Sequence, residues 1–243
     1  MNIVADTYVH DRYLSKMDDS DPEILEYYDF YGSKPGNFLC LVAGTHGNEP
    51  AGSVFLYDFV LFLKKNPDFL KRGKLRIIPA VNKWGLMRDI RYNNDHFGVL
   101  PKSDINRNYT EEGGTEPISQ NVVDLVNGAN LVMDFHEGWG YHRCQKSSIG
   151  SSLTPTSYGP AMKISDSIVG KINDNINQSC KLFSSMPGKS CEISSTLGCH
   201  MQKNKLPYIL METTGQNNIQ NISVRTNQVK IAVLTALDSL NFI

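Results

Sequence analysis

Four short stretches of this 243-residue chain concentrate side chains that can bind a cation, hold a charge or move a proton. The first is Gly44-Thr45-His46-Gly47-Asn48-Glu49-Pro50. An imidazole and a carboxylate three residues apart can reach one metal ion if a tight turn wraps around it, and Gly44 and Gly47 allow such a turn. The same spacing also suits a glycine loop with an acid near a helix start, where a carboxylate interacts well with the dipole. The second stretch is Leu131-Val132-Met133-Asp134-Phe135-His136, which reads as a strand. Side chains alternate along a strand, so Asp134 and His136 share one parity while Phe135 and Glu137 share the other. His136 is then a third candidate ligand at the strand edge, and Asp134 a candidate for orienting an imidazole. His46, Glu49 and His136 with a fourth position open to water make a catalytic rather than a structural set for one zinc ion. The competing reading of His136 is a strand-terminal histidine satisfied by backbone carbonyls. Glu137 and His142 are neighbouring, weaker ligand candidates.

The third stretch is Arg91-Tyr92-Asn93 with Asp104-Ile105-Asn106-Arg107-Asn108-Tyr109. Asn106 and Arg107 offer amide donors and a guanidinium fork, which suit capture of a substrate carboxylate. Arg91 could polarise a carbonyl or stabilise the oxyanion that forms from it. The fourth is Ile209-Leu210-Met211-Glu212-Thr213, an apolar run ending in a carboxylate. An acid beside metal-activated water can take its proton and deliver it to a leaving nitrogen. Glu212 could instead be a structural partner of an arginine, and Glu137 is its rival as base.

For these stretches to meet, the chain must carry them to one edge of a sheet. Apolar runs alternate with amphipathic helical stretches, the pattern of a sheet covered by helices. Strands are predicted at 24–31, 38–43, 75–81, 130–135 and 207–213. The run Phe38–Ala43 has apolar side chains on both parities, as in a central strand buried on both faces. Helices are predicted at 51–65, 119–126, 160–177 and 223–240. A turn is expected at 32–37, and loops at 82–117 and 138–159. Residues 184–205 show turn signals and no clear period. The expected architecture is α/β: a single three-layer α/β/α domain over residues 1–243 with a mixed central sheet. Each polar stretch then falls past the C-terminal end of a strand, where open α/β sheets place their ligand sites.

Composition narrows the partners. With 24 Lys+Arg against 25 Asp+Glu the net charge is −1, which argues against a nucleic-acid partner. No apolar run approaches the roughly 20 residues of a membrane helix, so no membrane association is expected. The start Met1-Asn2-Ile3-Val4-Ala5-Asp6 lacks the basic and apolar pattern of a signal peptide. Five cysteines with no such signal suggest reduced thiols in a cytoplasmic setting. Cys191, Cys199 and His200 lack the spacing of a zinc knuckle and read as ordinary small buried side chains.

The ordered set Gly44–Glu49, Arg91–Asn93, Asp104–Tyr109, Asp134–His136 and Met211–Thr213 resembles the zinc carboxypeptidase superfamily. Gly44-Thr45-His46-Gly47-Asn48-Glu49-Pro50-Ala51-Gly52 is most similar to its succinylglutamate desuccinylase and aspartoacylase branch. The resemblance implies an α/β/α fold, zinc on His46, Glu49 and His136, and a carbonyl-assisting Arg91. It also implies Asn106 and Arg107 on a free carboxylate and Glu212 promoting attack by water. The implied activity is hydrolysis of an amide bond next to a carboxylate, in a peptide C-terminus or an N-acyl amino acid. An inert module that only binds carboxylate ligands is the alternative. Carboxypeptidases of this kind usually place a tyrosine in the loop before the catalytic glutamate, yet 184–205 has none; Tyr141, Tyr158 and His200 are the candidates to replace it.

Overall fold

The computed structural model describes residues 25–93 and 102–243. Seven strands form one mixed sheet in the order β1-β3-β2-β4-β7-β5-β6. They are β1 (Tyr28–Tyr31), β2 (Lys34–Ala43), β3 (Arg72–Ile78), β4 (Leu131–Gly138), β5 (Ser152–Pro155), β6 (Ser184–Ser185) and β7 (Tyr208–Thr214). The four central strands β3, β2, β4 and β7 run parallel, while β1 and β5 pair antiparallel to their neighbours. All eight residues of β4 are buried, as an inner parallel strand requires.

Alternation along the strands builds two cores. Leu39 and Leu41 of β2, Met133 and Phe135 of β4 and Met211 of β7 face helices α1 (Ala51–Lys65), α4 (Ala161–Asn173) and α6 (Ile222–Ser239). Phe55, Phe59 and Leu63 of α1 recur at helical spacing and meet that face, and Lys64 and Lys65 close the helix where cations suit its dipole. Cys40, Val42, Val132 and Tyr208 point the other way, toward α3 (Pro117–Val126) and α5 (Leu197–Lys203). The expected three-layer α/β/α fold with a mixed sheet is the fold observed.

The differences are local. The expected turn at 32–37 is largely absorbed into β2, which begins at Lys34, where a register shift before Phe38 lets the Pro-Gly pair join the strand. The loop expected at 82–117 contains α2 (Lys83–Arg88), whose start is capped by the Asn82 side chain accepting from the Gly85 N–H at 2.8 Å. The loop expected at 138–159 contains β5, and the ambiguous stretch contains β6 and α5. The signal-peptide expectation and the start of the first expected strand, Ile24, lie outside the described residues, as does part of the 82–117 loop. Among the described residues, no helix is long and apolar enough to cross a membrane.

The expectation of reduced thiols is corrected. Cys144 pairs with Cys180 and Cys191 with Cys199, leaving Cys40 as the free thiol, buried in the sheet. The fold brings these residues together from segments whose cysteine spacing carried no signal. Disulfides persist in oxidising surroundings, so the cysteines give no support to a cytoplasmic setting.

Candidate active site

The polar stretches converge at the C-terminal ends of β2, β4 and β7. Gly44 follows β2 with φ +68, and its missing Cβ leaves room for Ser53 Oγ beneath the turn. The turn that follows is closed by the Glu49 N–H donating to His46 O at 3.2 Å. His46 and Glu49 therefore face back over the sheet. β4 carries His136 to the same place, and its register with β7 sets His136 beside Glu212.

His46, Glu49 and His136 each offer a ligand atom within 4.8 Å of the others, and all three are buried. His46 Nδ1 lies 2.9 Å from Glu49 Oε1 and 3.1 Å from His136 Nδ1. His136 Nδ1 lies 2.9 Å from Glu49 Oε2. The outer nitrogen of each ring meets a carboxylate: His46 Nε2 is 3.1 Å from Asp104 Oδ1, and His136 Nε2 is 3.2 Å from Asp134 Oδ2. Each ring therefore has a carboxylate at both nitrogens, Glu49 on the inside and Asp104 or Asp134 on the outside. A cation bound between the rings would leave each Nδ1 as a ligand lone pair, with the ring N–H turned outward to Asp104 or Asp134. The donor set fits a divalent metal such as zinc.

The electrostatics show the same demand for positive charge. Burial alone would raise the Glu49 carboxyl, but the adjoining His46 and His136 hold it well below the ordinary carboxylate range. Burial would lower His136, but the Asp134 and Glu49 carboxylates carry it well above the ordinary imidazole range. For Glu212 the lowering by His136 and Arg91 is too small to compensate. Burial first, and then the charge of Glu49, push its carboxyl up to about 8.

Asp134 is, as parity suggested, the residue behind His136, and it also accepts from the Tyr208 hydroxyl at 2.9 Å. Asp104 was not singled out from the sequence. It joins three predicted site residues: Oδ1 meets His46 and accepts the Asn106 N–H at 3.1 Å, and Oδ2 accepts Arg91 Nε at 3.0 Å. Gln216 was missed too; its Nε2 donates to Glu49 Oε1 at 3.0 Å and to Glu137 O at 2.7 Å. Glu137 lies on the opposite sheet face. Its carboxylate accepts the Ala51 N–H at 2.7 Å and is paired with Arg225, so it is engaged in structure.

These groups open into a cleft of about 390 Å³, lined by Arg91, Asn106, Arg107 and Glu212 as well as the His/Glu set. Asn106 Oδ1 accepts the Leu197 N–H at 3.0 Å, and Arg107 donates to Asn106 O at 2.7 Å. His142 lines the cleft wall, with Nδ1 2.8 Å from Ser148 O. Tyr141, Tyr158 and His200, the substitutes considered for the loop tyrosine, do not line it.

Residues 35–146 match the sequence profile of the succinylglutamate desuccinylase/aspartoacylase catalytic domain. That stretch, a little under half of the chain, carries His46, Glu49 and His136, so the part that holds the candidate ligands is similar to this catalytic domain. Among solved structures, it is similar to the cell shape determinant protein Csd4 from Helicobacter pylori, with a TM-score of 0.70 and 17% identity. That match covers 90% of this chain and 55% of Csd4, so the chain spans little more than half of that neighbour. Csd4 is described as a D,L-carboxypeptidase, and structures of it hold a tripeptide and mDAP. A candidate metallopeptidase of Shewanella denitrificans OS217 matches with a TM-score of 0.66 and 17% identity, over 97% of this chain and 90% of its own. At these identities the solved structures establish the fold alone. No curated protein matches the chain in sequence.

Proposed function

We propose that the described residues form one catalytic domain, a zinc-dependent hydrolase that cleaves an amide bond next to a free carboxylate. Its substrates are of the metallocarboxypeptidase or N-acyl amino acid deacylase type. The observation that carries this reading is the convergence of His46 Nδ1, His136 Nδ1 and Glu49 on one point, with both outer ring nitrogens tied to carboxylates. An ion held there supplies Lewis acidity, polarising a carbonyl and lowering the pKa of water toward neutrality.

The chain's own residues do the rest. Glu212, beside His136 on the neighbouring strand, takes the proton of the attacking water and returns it to the leaving nitrogen. A carboxyl raised to about 8 suits both halves of that task, because positive charge placed at the His/Glu set draws it back toward neutrality. Asp104 fixes the Arg91 guanidinium at the cleft, where it serves the carbonyl oxygen as negative charge develops. Asn106 and Arg107 hold the free carboxylate of the substrate. The mDAP and tripeptide bound by Csd4 carry carboxylates, which is consistent with such a substrate class.

The test combines metal analysis with a panel of C-terminal peptides, N-acetyl and N-succinyl amino acids and cell-wall peptides, with and without zinc. Near-stoichiometric metal that is lost in His46→Ala, together with zinc-supported turnover of one class, is the expected result. Glu212→Gln should keep the metal and lose about 10²–10⁴-fold in kcat. Carboxylate binding without any turnover would instead make the chain a binding module.

A further inference from the structure

Single exposed apolar side chains are common on protein surfaces, but a group gathered at one cleft calls for a reason. Three of the exposed large hydrophobic residues, Trp139 (41% exposed), Ile149 (41%) and Ile193 (48%), line the candidate catalytic cleft. They come from two separate loops, and both loops are constrained.

Trp139 and Ile149 flank the two sides of one narrow loop. A Cβ on Gly138 would strike the Gly150 backbone, and one on Gly150 would strike Gly140 O. Ser148 Oγ bridges this loop from within, donating to Gly140 O at 2.7 Å and accepting the Gly140 N–H at 3.0 Å. The Cys144–Cys180 disulfide ties this loop to the segment that follows α4. Ile193 sits inside the segment closed by Cys191–Cys199, with its carbonyl accepting from Thr196 Oγ1 at 3.0 Å. The backbone that carries these side chains is therefore constrained before any ligand arrives, and segments ordered in advance lose little entropy on binding.

We propose that Trp139, Ile149 and Ile193 form an apolar subsite for a bulky aliphatic or aromatic group on the acyl side of the scissile bond. The inference rests on the function proposed above. In that reading the amine side of the substrate ends at the carboxylate held by Asn106 and Arg107, so the acyl side is the part free to extend toward the rim. The preferred substrates are then N-acyl amino acids with a large apolar acyl group, or peptides with a bulky apolar residue before the last one. Acetyl and succinyl compounds would leave the rim uncovered.

The experiment compares N-acetyl, N-octanoyl and N-benzoyl derivatives of the amino acid that the panel identifies. The ratio of kcat/KM for octanoyl or benzoyl over acetyl should be at least about tenfold. That ratio should collapse toward one in Trp139→Ala and in Ile193→Ser. Affinity is read separately, by calorimetric titration of N-benzoylglycine and N-acetylglycine into Glu212→Gln protein. Equal affinities, or a preference untouched by both rim substitutions, overturn the subsite whatever the turnover shows. A benzoyl preference in binding that depends on Trp139, with no turnover of any substrate, keeps the subsite and sinks the hydrolase reading. Self-association in sedimentation that Ile193→Ser abolishes, without any acyl preference, would make the rim an interface between copies and overturn the proposal.

Discussion

Glu49 keeps one neutral hydrogen-bond donor on each oxygen apart from the two histidines: Gln216 Nε2 on Oε1 and the Glu137 N–H on Oε2, each at 3.0 Å. Both partners of the Gln216 nitrogen are acceptors, which fixes the orientation of its amide. Gln216→Leu should therefore weaken zinc affinity about 10–100-fold while the melting temperature moves little, read by competition with a chromogenic chelator. An unchanged affinity would reduce Gln216 to cleft lining. Glu212 makes a second prediction, for metal-stripped protein. Its folded pKa of about 8 lies above the ordinary 4.5, so between these values the folded chain holds a proton that the unfolded chain releases. That contribution is complete below about 4.5 and is lost as pH rises through 8. The melting temperature of Glu212→Gln relative to wild type should therefore climb from pH 5 to pH 9, and a flat difference would contradict the burial of this carboxyl. At this scale the sequence shows ligand types and parity. It cannot show that Asp104, 58 residues from His46, or Gln216, 167 from Glu49, closes the set.

Strands β4 and β7 sort acids of the same type into different work. Glu212 and His136 share the face that opens to the cleft, while Glu137, one residue on from His136, crosses to the helical face and ties β4 to α1 and α6 through Ala51 and Arg225. Arg225 and Glu137 are both almost fully buried. Arg225→Met leaves that carboxylate unpaired and should cost about 3–5 kcal/mol in urea unfolding. A loss below 1 kcal/mol would mean that Glu137 has another partner. The elements legible in advance are those whose apolar period is long enough to stand out, such as β4, β7, α1 and α6. The short ones are held by contacts from elsewhere. The Ser-Leu-Thr-Pro of β5 is a strand because it pairs with Ile209–Glu212, and six-residue α2 starts on an asparagine cap. α5 is anchored by its Leu197 N–H on Asn106, 91 residues away.

Across the whole molecule, the net charge of −1 is matched at the cleft, where Arg91, Arg107, Lys146 and Lys189 stand against Glu49, Glu137, Glu192 and Glu212, so capture of a carboxylate there would depend on where Arg91 and Arg107 sit and not on net charge. Two disulfides brace the loops that wall this cleft, while the His/Glu set rests on the sheet itself. Cys144 and Cys180 are separated by 36 residues, and replacing both with serine should lower stability by about 3–4 kcal/mol in guanidinium. Zinc content after refolding should survive that change, because none of the ligands sits on the braced loops. The ligands come from far apart, His46 and His136 being 90 residues distant along the chain. A zinc knuckle gathers its ligands locally and can fold around its ion. Here β2 and β4 must already lie side by side before the two rings can meet, so during biosynthesis an ion bound there would be the seal on a finished fold rather than the seed of it.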